Sequence, residues 1–205
     1  MKPKLVIFFL IFSNIVFCQT PKDRLLERDI NQVVEELEFM YGYDQTIRKY
    51  TTYKTFDKSE IDKIELLPDS LIEKEQKKRT LNDSLKKLIF DEYINPKDTQ
   101  HTEKLIEITK KYGFPTIERI KKFYKNDFTN KEFNPIIIFI HSPKTYWEQL
   151  KILMKSEFDE HNIDQCTYGY LMWHFNGRKS LQPMLENGWK IEEKDGKRKL
   201  TSTCK

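Results

Sequence analysis

The sequence predicts a mainly α protein, an irregular bundle of helices that ends in a β-hairpin. Three observations predict it. Apolar residues recur at spacings of three and four through most of the chain. Glycine is scarce, with 6 in 205 residues, too few for a sandwich of many tight turns. Alternation with a period of two is confined to the C-terminal end, around the turn pair Asp195-Gly196.

Lys2 and Lys4 precede an apolar stretch from Leu5 to Phe17, the pattern of a secretory signal peptide over 1–18. That stretch is shorter than the roughly 20 residues needed to span a bilayer. Val16 and Cys18 occupy the small-residue positions ahead of a cut before Gln19. The alternative is a lipoprotein signal with Cys18 acylated; Phe17 disfavours it, because a small residue is needed there. The expectation is a secreted or periplasmic chain, 19–205, forming one domain with no transmembrane helix.

From Asp23 to about Tyr50, Leu26, Ile30, Val33, Val34, Leu37, Met40, Tyr41 and Ile47 mark one face of a helix, with a disturbance expected near Gly42. Thr51 to Pro68 reads as a loop with a helical turn, and Asp69 to Ile94 as one helix. Asn95-Pro96 is expected to break the chain before a helix capped by Asp98 or Thr99, which Gly113 ends. A short helix over Thr116–Tyr124 and a polar loop over Asn126–Asn134 come next. Ile136 to Ile140 suits either a buried strand or a buried helix; the absence of earlier strand partners favours the helix, with Ser142 capping a second helix to about Phe158. Ile163–Phe175 is expected to be the last helix, with Gly177 at its end. A hairpin over about 189–202 closes the chain.

Without residues 1–18 the chain carries 34 basic against 32 acidic residues, a net charge of +2. Such a balance, with lysine and glutamate interspersed, argues against a nucleic-acid binder. No G-x-S-x-G, P-loop or dinucleotide fingerprint occurs, so the familiar hydrolase, nucleotidase and oxidoreductase classes find no support. None of His101, His141, His161 and His174 falls in a zinc-binding pair; no metal or cofactor is expected, and Asp159, His161 and Asp164 read as a solvated loop. Cys166 and Cys204 can form a disulfide in an oxidising compartment, though sequence does not show that they meet.

The best candidate chemistry is Tyr43-Asp44-Gln45-Thr46-Ile47-Arg48. Asp44 and Arg48 stand at i and i+4 on one helix face. On the surface such a pair contributes about 0.3–0.5 kcal/mol. Buried beside His141, Asp44 would orient the imidazole and Arg48 would hold an anion by its planar fork. The second candidate is the run from Tyr170 to Gln182, in which Trp173, His174, Arg178 and Gln182 combine apolar bodies with polar tips.

Together, DQTIR, HTEKLIEITKKYGFP, IIIFIHSP and YGYLMWHFNGRKSLQ resemble a bacterial family built on a domain of unknown function. The family has D-Q-x-x-R, G-W-P or G-F-P, a Gln-His pair and G-x-x-Q motifs. On this resemblance, which covers roughly residues 30–192, Asp44, Gln45, Arg48, Gly113, Pro115, His141, Gly177 and Gln182 fall on motif positions. Ile140 stands where the family has Gln, and Trp173-His174 where it has Asp-Arg. The resemblance implies an all-helical fold and no defined activity. Two functions are therefore carried forward. One is an envelope module binding a small ligand or another envelope protein in a groove lined by Asp44, Gln45, Arg48, His141, His174, Arg178 and Gln182. The other is an enzyme with His141 as general base, oriented by Asp44, and Arg48 binding an acidic substrate.

Overall fold

A single long helix organises the structure. The computed structural model describes residues 19–194 and 196–204, so the leader expected over 1–18 and Asp195 of the turn lie outside the described residues. α1 (Pro21–Tyr53) begins at Thr20, whose hydroxyl accepts the Asp23 N–H, with Pro21 in the first turn. It runs through Gly42 without interruption, contrary to the expected disturbance. One mid-helix glycine costs about 1 kcal/mol, less than the buried stripe from Leu26 to Tyr41 supplies by anchoring the helix ahead of it.

The segment expected as a loop contains α2 (Lys58–Glu65), where the Asp57 carboxylate accepts the N–H groups of Ser59 and Glu60. The single helix expected over Asp69–Ile94 is divided into α3 (Asp69–Lys78) and α4 (Asp83–Ile89). Leu81 inserts into a small core shared by α4, the turn after it and the end of α1, and Asn82 caps α4 through Leu85 N–H.

The break expected at Asn95-Pro96 does not occur. The helix continues through a π turn at Phe90–Ile94 into α5 (Asn95–Tyr112). In that wider turn Asn95 N–H bonds the carbonyl five residues back, on Phe90. This accommodates a proline that has no N–H and clashes with the carbonyl four residues back in an α-helix. Gly113 ends α5 with φ 75°, and α6 (Ile117–Phe123) comes next, capped by Thr116.

α7 (Ile136–Ile140) is a helix as expected, though only Ile138 and Phe139 are fully buried. Ser142 does not cap the next helix. Its hydroxyl donates to the Phe139 carbonyl at 2.7 Å and so closes α7. The chain then enters α8 (Trp147–Asp159) through a 3-10 turn at Lys144–Tyr146. α9 (Gln165–Phe175) is capped by Asp164, whose carboxylate accepts Thr167 N–H. It ends in paired bonds from Gly177 N–H to His174 O and from Arg178 N–H to Trp173 O, the Schellman arrangement. It is not the last helix, because α10 (Gln182–Leu185) precedes the hairpin.

β1 (Trp189–Lys194) and β2 (Lys197–Ser202) pair antiparallel, with Trp189 opposite Ser202 and Ile191 opposite Leu200. Cys166 and Cys204 form a disulfide that ties the tail to α9. The main core gathers α1, α5, α7, α8 and α9 around Leu37, Leu105, Phe114, Phe139, Leu150 and Leu171. Among the described residues no helix is long and apolar enough to cross a membrane.

Candidate functional site

The end of α7 lies against the middle of α1, and this brings His141 to Asp44. His141 Nδ1 stands 2.9 Å from both carboxylate oxygens of Asp44. The same carboxylate accepts Arg48 Nε at 2.8 Å and Gln45 Nε2 at 2.7 Å. Arg48 then reaches across to α5, where its Nη2 donates to both oxygens of Asp98 at 2.6 and 2.7 Å. A continuous chain of charge, His141–Asp44–Arg48–Asp98, therefore links α7, α1 and α5.

Burial alone would raise the Asp44 carboxyl, which is 6% exposed. The hydrogen bonds and charges of His141 and Arg48 outweigh burial and hold it below the ordinary carboxylate value. Asp98 moves the other way. Burial, reinforced by the charge of Asp44, outweighs its bond to Arg48 and raises it. One guanidinium between two carboxylates leaves the second harder to ionise. Because His141 Nδ1 faces an ionised carboxylate, Nδ1 carries the proton, and in the neutral ring Nε2 is the basic atom. Nε2 has no hydrogen-bond partner among the described residues, and the side chain is 26% exposed.

This geometry can orient an imidazole and accept a proton at Nε2. It holds no hydroxyl or thiol nucleophile, since Ser142 is turned onto the Phe139 carbonyl. Arg48 directs Nε and Nη2 at two protein carboxylates, and the recess beside it encloses about 10 Å³, room for roughly one water. Tyr43 and His101 complete that recess; their rings meet edge to face at 5.8 Å, and burial lowers the His101 pKa.

His174 and Arg178 form a separate pair on the other side of α7. His174 Nδ1 accepts from Arg178 Nε at 3.1 Å and Nη2 at 2.9 Å. Nε2 is buried with no partner at hydrogen-bond distance, although the Ile140 carbonyl lies near enough to favour the protonated ring. Burial first, then the Arg178 and His141 charges, overcome that and push His174 down to about 4. Arg178 also lies over the Trp173 ring at 5.4 Å. Gln182 is exposed and bonds Glu186, apart from both groups.

Two features escape a reading of the sequence alone. Asp98 reads there only as a helix cap; its spacing from His101, at i and i+3, is the available signal. The second is a buried network beneath the G-F-P turn. Glu157, fully buried, accepts Phe114 N–H at 2.6 Å, Asn162 Nδ2 at 2.8 Å and Lys22 Nζ at 2.9 Å. Arg119 bonds the carbonyls of Phe114 and Tyr112 and the carboxylate of Asp23. No local pattern marks Glu157.

The largest nearby opening lies between α7, α9 and the hairpin. This groove of about 420 Å³ is walled by Ile136, Ile137, Ile140, Tyr170 and Trp189 and floored by the disulfide. Asp164, Cys166 and Cys204 are the only described residues with three potential metal donors close together; both cysteines are consumed in the disulfide. No protein-family model, curated protein or solved structure matches this chain.

Proposed function

We propose that the protein is an exported binding module of the cell envelope whose ligand occupies the groove between α7, α9 and the hairpin. The observation that carries this reading is the groove itself. Its volume lies in the range of small-ligand sites, roughly 300–1,000 Å³, and its walls are apolar and aromatic with a few polar groups, the usual make-up of such sites. The disulfide supports it by holding the hairpin wall, and with it Trp189, against α9. The site sits beside the residues that the sequence singles out, because Ile140 lines the groove and His141 is next in the chain. In this reading the His141–Asp44–Arg48–Asp98 chain fixes the position of α7, one wall of the groove.

A fragment screen read by thermal stability and tryptophan fluorescence tests the proposal. A ligand at 100 times its Kd adds about 2.7 kcal/mol, and Ile137→Asp should abolish the gain. A hit that stabilises the variant equally, or no hit at all, would overturn it.

A second reading has a specific observation behind it. His141 Nδ1 at 2.9 Å from Asp44, with Nε2 unpartnered among the described residues, is the geometry of an oriented general base acting through water. Its test is a hydrolysis screen with His141→Gln as the control. Turnover that survives in the variant would exclude His141 as the base.

A further inference from the structure

We infer that the groove between α7, α9 and the hairpin takes a small organic cation, an ammonium with an apolar body. This rests on the groove reading above and adds the chemical class of the ligand. Three features select that class.

The first is charge. Asp164 is the only charged side chain lining the groove among the described residues. Its carboxylate lines the groove within 4.8 Å of the disulfide sulfurs and is open to solvent. One oxygen accepts Thr167 N–H at the start of α9, which leaves the other for a ligand. No lysine or arginine is among the lining residues, so an anion would find no side-chain counter-charge there. A wholly apolar guest would make no use of this charge.

The second is the aromatic pair. Tyr170 and Trp189 stand 6.3 Å apart with 33° between their planes. Trp189 lines the groove with its indole N–H already engaged by the Cys166 carbonyl at 2.9 Å, so the ring offers a ligand its π system and not a donor. A cation near tryptophan and tyrosine faces is attracted by the ring quadrupole, most strongly where water is excluded.

The third is the aliphatic wall. Ile136, Ile137 and Ile140 are half-buried and face the same space. They suit the methyl and methylene groups of an alkylated ammonium, which a compact, strongly hydrated inorganic cation lacks. A metal ion is also disfavoured by the donors, since the two sulfurs beside Asp164 are bonded to each other.

The test compares three compounds of one shape: choline, its uncharged carbon analogue 3,3-dimethylbutan-1-ol, and the anionic 3,3-dimethylbutanoate. Binding is followed on the disulfide-intact chain by calorimetry and tryptophan fluorescence. Choline should bind, with the neutral analogue weaker by about fivefold, the scale of one cation–π contact open to water. The carboxylate should give no response. Asp164→Asn should reduce choline affinity several-fold and leave folding intact, because asparagine caps a helix as well as aspartate. Tyr170→Leu should weaken choline more than the neutral analogue.

Equal binding of the neutral compound, or preference for the anion, would overturn the cation assignment while leaving the groove as a binding site. No response to any of the three would also overturn it, and the fragment screen then decides the groove independently. Choline binding unchanged in both variants would place the cation elsewhere and refute the inference.

Discussion

Replacing Asp44 by Asn isolates the charge at the centre of the helix-joining chain. The side chain keeps its shape, but Arg48 Nε and His141 Nδ1 lose an ionised acceptor, and the amide nitrogen must face one of these donors. A hydrogen bond to a charged group contributes about 1.5–3 kcal/mol. Two such bonds would sum to as much as about 6 kcal/mol. The structure argues for roughly half of that. Arg48 keeps its two bonds to Asp98, and the Arg48 and His141 side chains are 23% and 26% exposed, so water recovers part of the loss. The expected cost at pH 7 is about 3 kcal/mol, a large share of the 5–15 kcal/mol that ordinarily separates folded from unfolded chains.

Urea unfolding followed by far-UV circular dichroism measures it as a fall in midpoint with unchanged slope. The pH dependence adds a sign. The folded Asp44 carboxyl ionises below its unfolded value of about 3.9, so its stabilisation is present above that pH and is lost as pH falls through the lower folded value. The gap between wild type and Asp44→Asn should close as the pH falls into strong acid. Asp98→Asn should cost less, because burial already favours the protonated form of Asp98. A loss below about 0.5 kcal/mol for Asp44→Asn, the range of ordinary surface substitutions, or a gap that widens in acid, would refute the chain as a clamp.

Further expectations concern other sites. His174 has a folded pKa of about 4, below its ordinary 6.5, so the unfolded chain takes up this proton first. Wild-type stability should therefore fall by up to roughly 3 kcal/mol between pH 6.5 and 4, and His174→Leu should flatten that part of a denaturation–pH series. Gly113→Ala and Gly42→Ala should have opposite signs in thermal melts. A Cβ on Gly113 would lie 2.4 Å from Arg119 Nη1 at φ 75°, a loss of roughly 2 kcal/mol or more. One on Gly42 meets nothing within 4 Å and should add about 0.5–1 kcal/mol. Reducing the bridge between Cys166 and Cys204, which are 38 positions apart, should cost up to about 4 kcal/mol in the chain-entropy account. Hydrogen exchange should rise first in β1 and β2; uniform loss of protection would show that the bridge supports the whole fold instead.

The sequence by itself determined what local physics determines. The three-and-four spacing marked the buried face of α1, Gly113 and Gly177 marked helix ends through backbone conformations that a Cβ resists, and period-two alternation marked the hairpin. Asp44 and Arg48 were legible as neighbours, because a helix places i and i+4 together whatever surrounds it. Their contact with His141 was a specific conjecture, and the structure contains it at 2.9 Å. Tertiary structure decided the partners that local spacing leaves open. Arg48 meets Asp98 across 50 positions, and Glu157 meets Lys22 across 135; no periodicity encodes either pairing. It decided that Pro96 follows a π turn and does not end the helix, because Ile94 and Phe90 pack into a small core that holds a turn that propensity alone disfavours. It also decided where a ligand has room. Side chains that recognise charge were readable as residue types, but in the fold Asp44, Arg48 and Asp98 neutralise one another. The open space forms one residue away, where Ile140, Tyr170 and Trp189 from three elements leave a gap that their own packing does not fill.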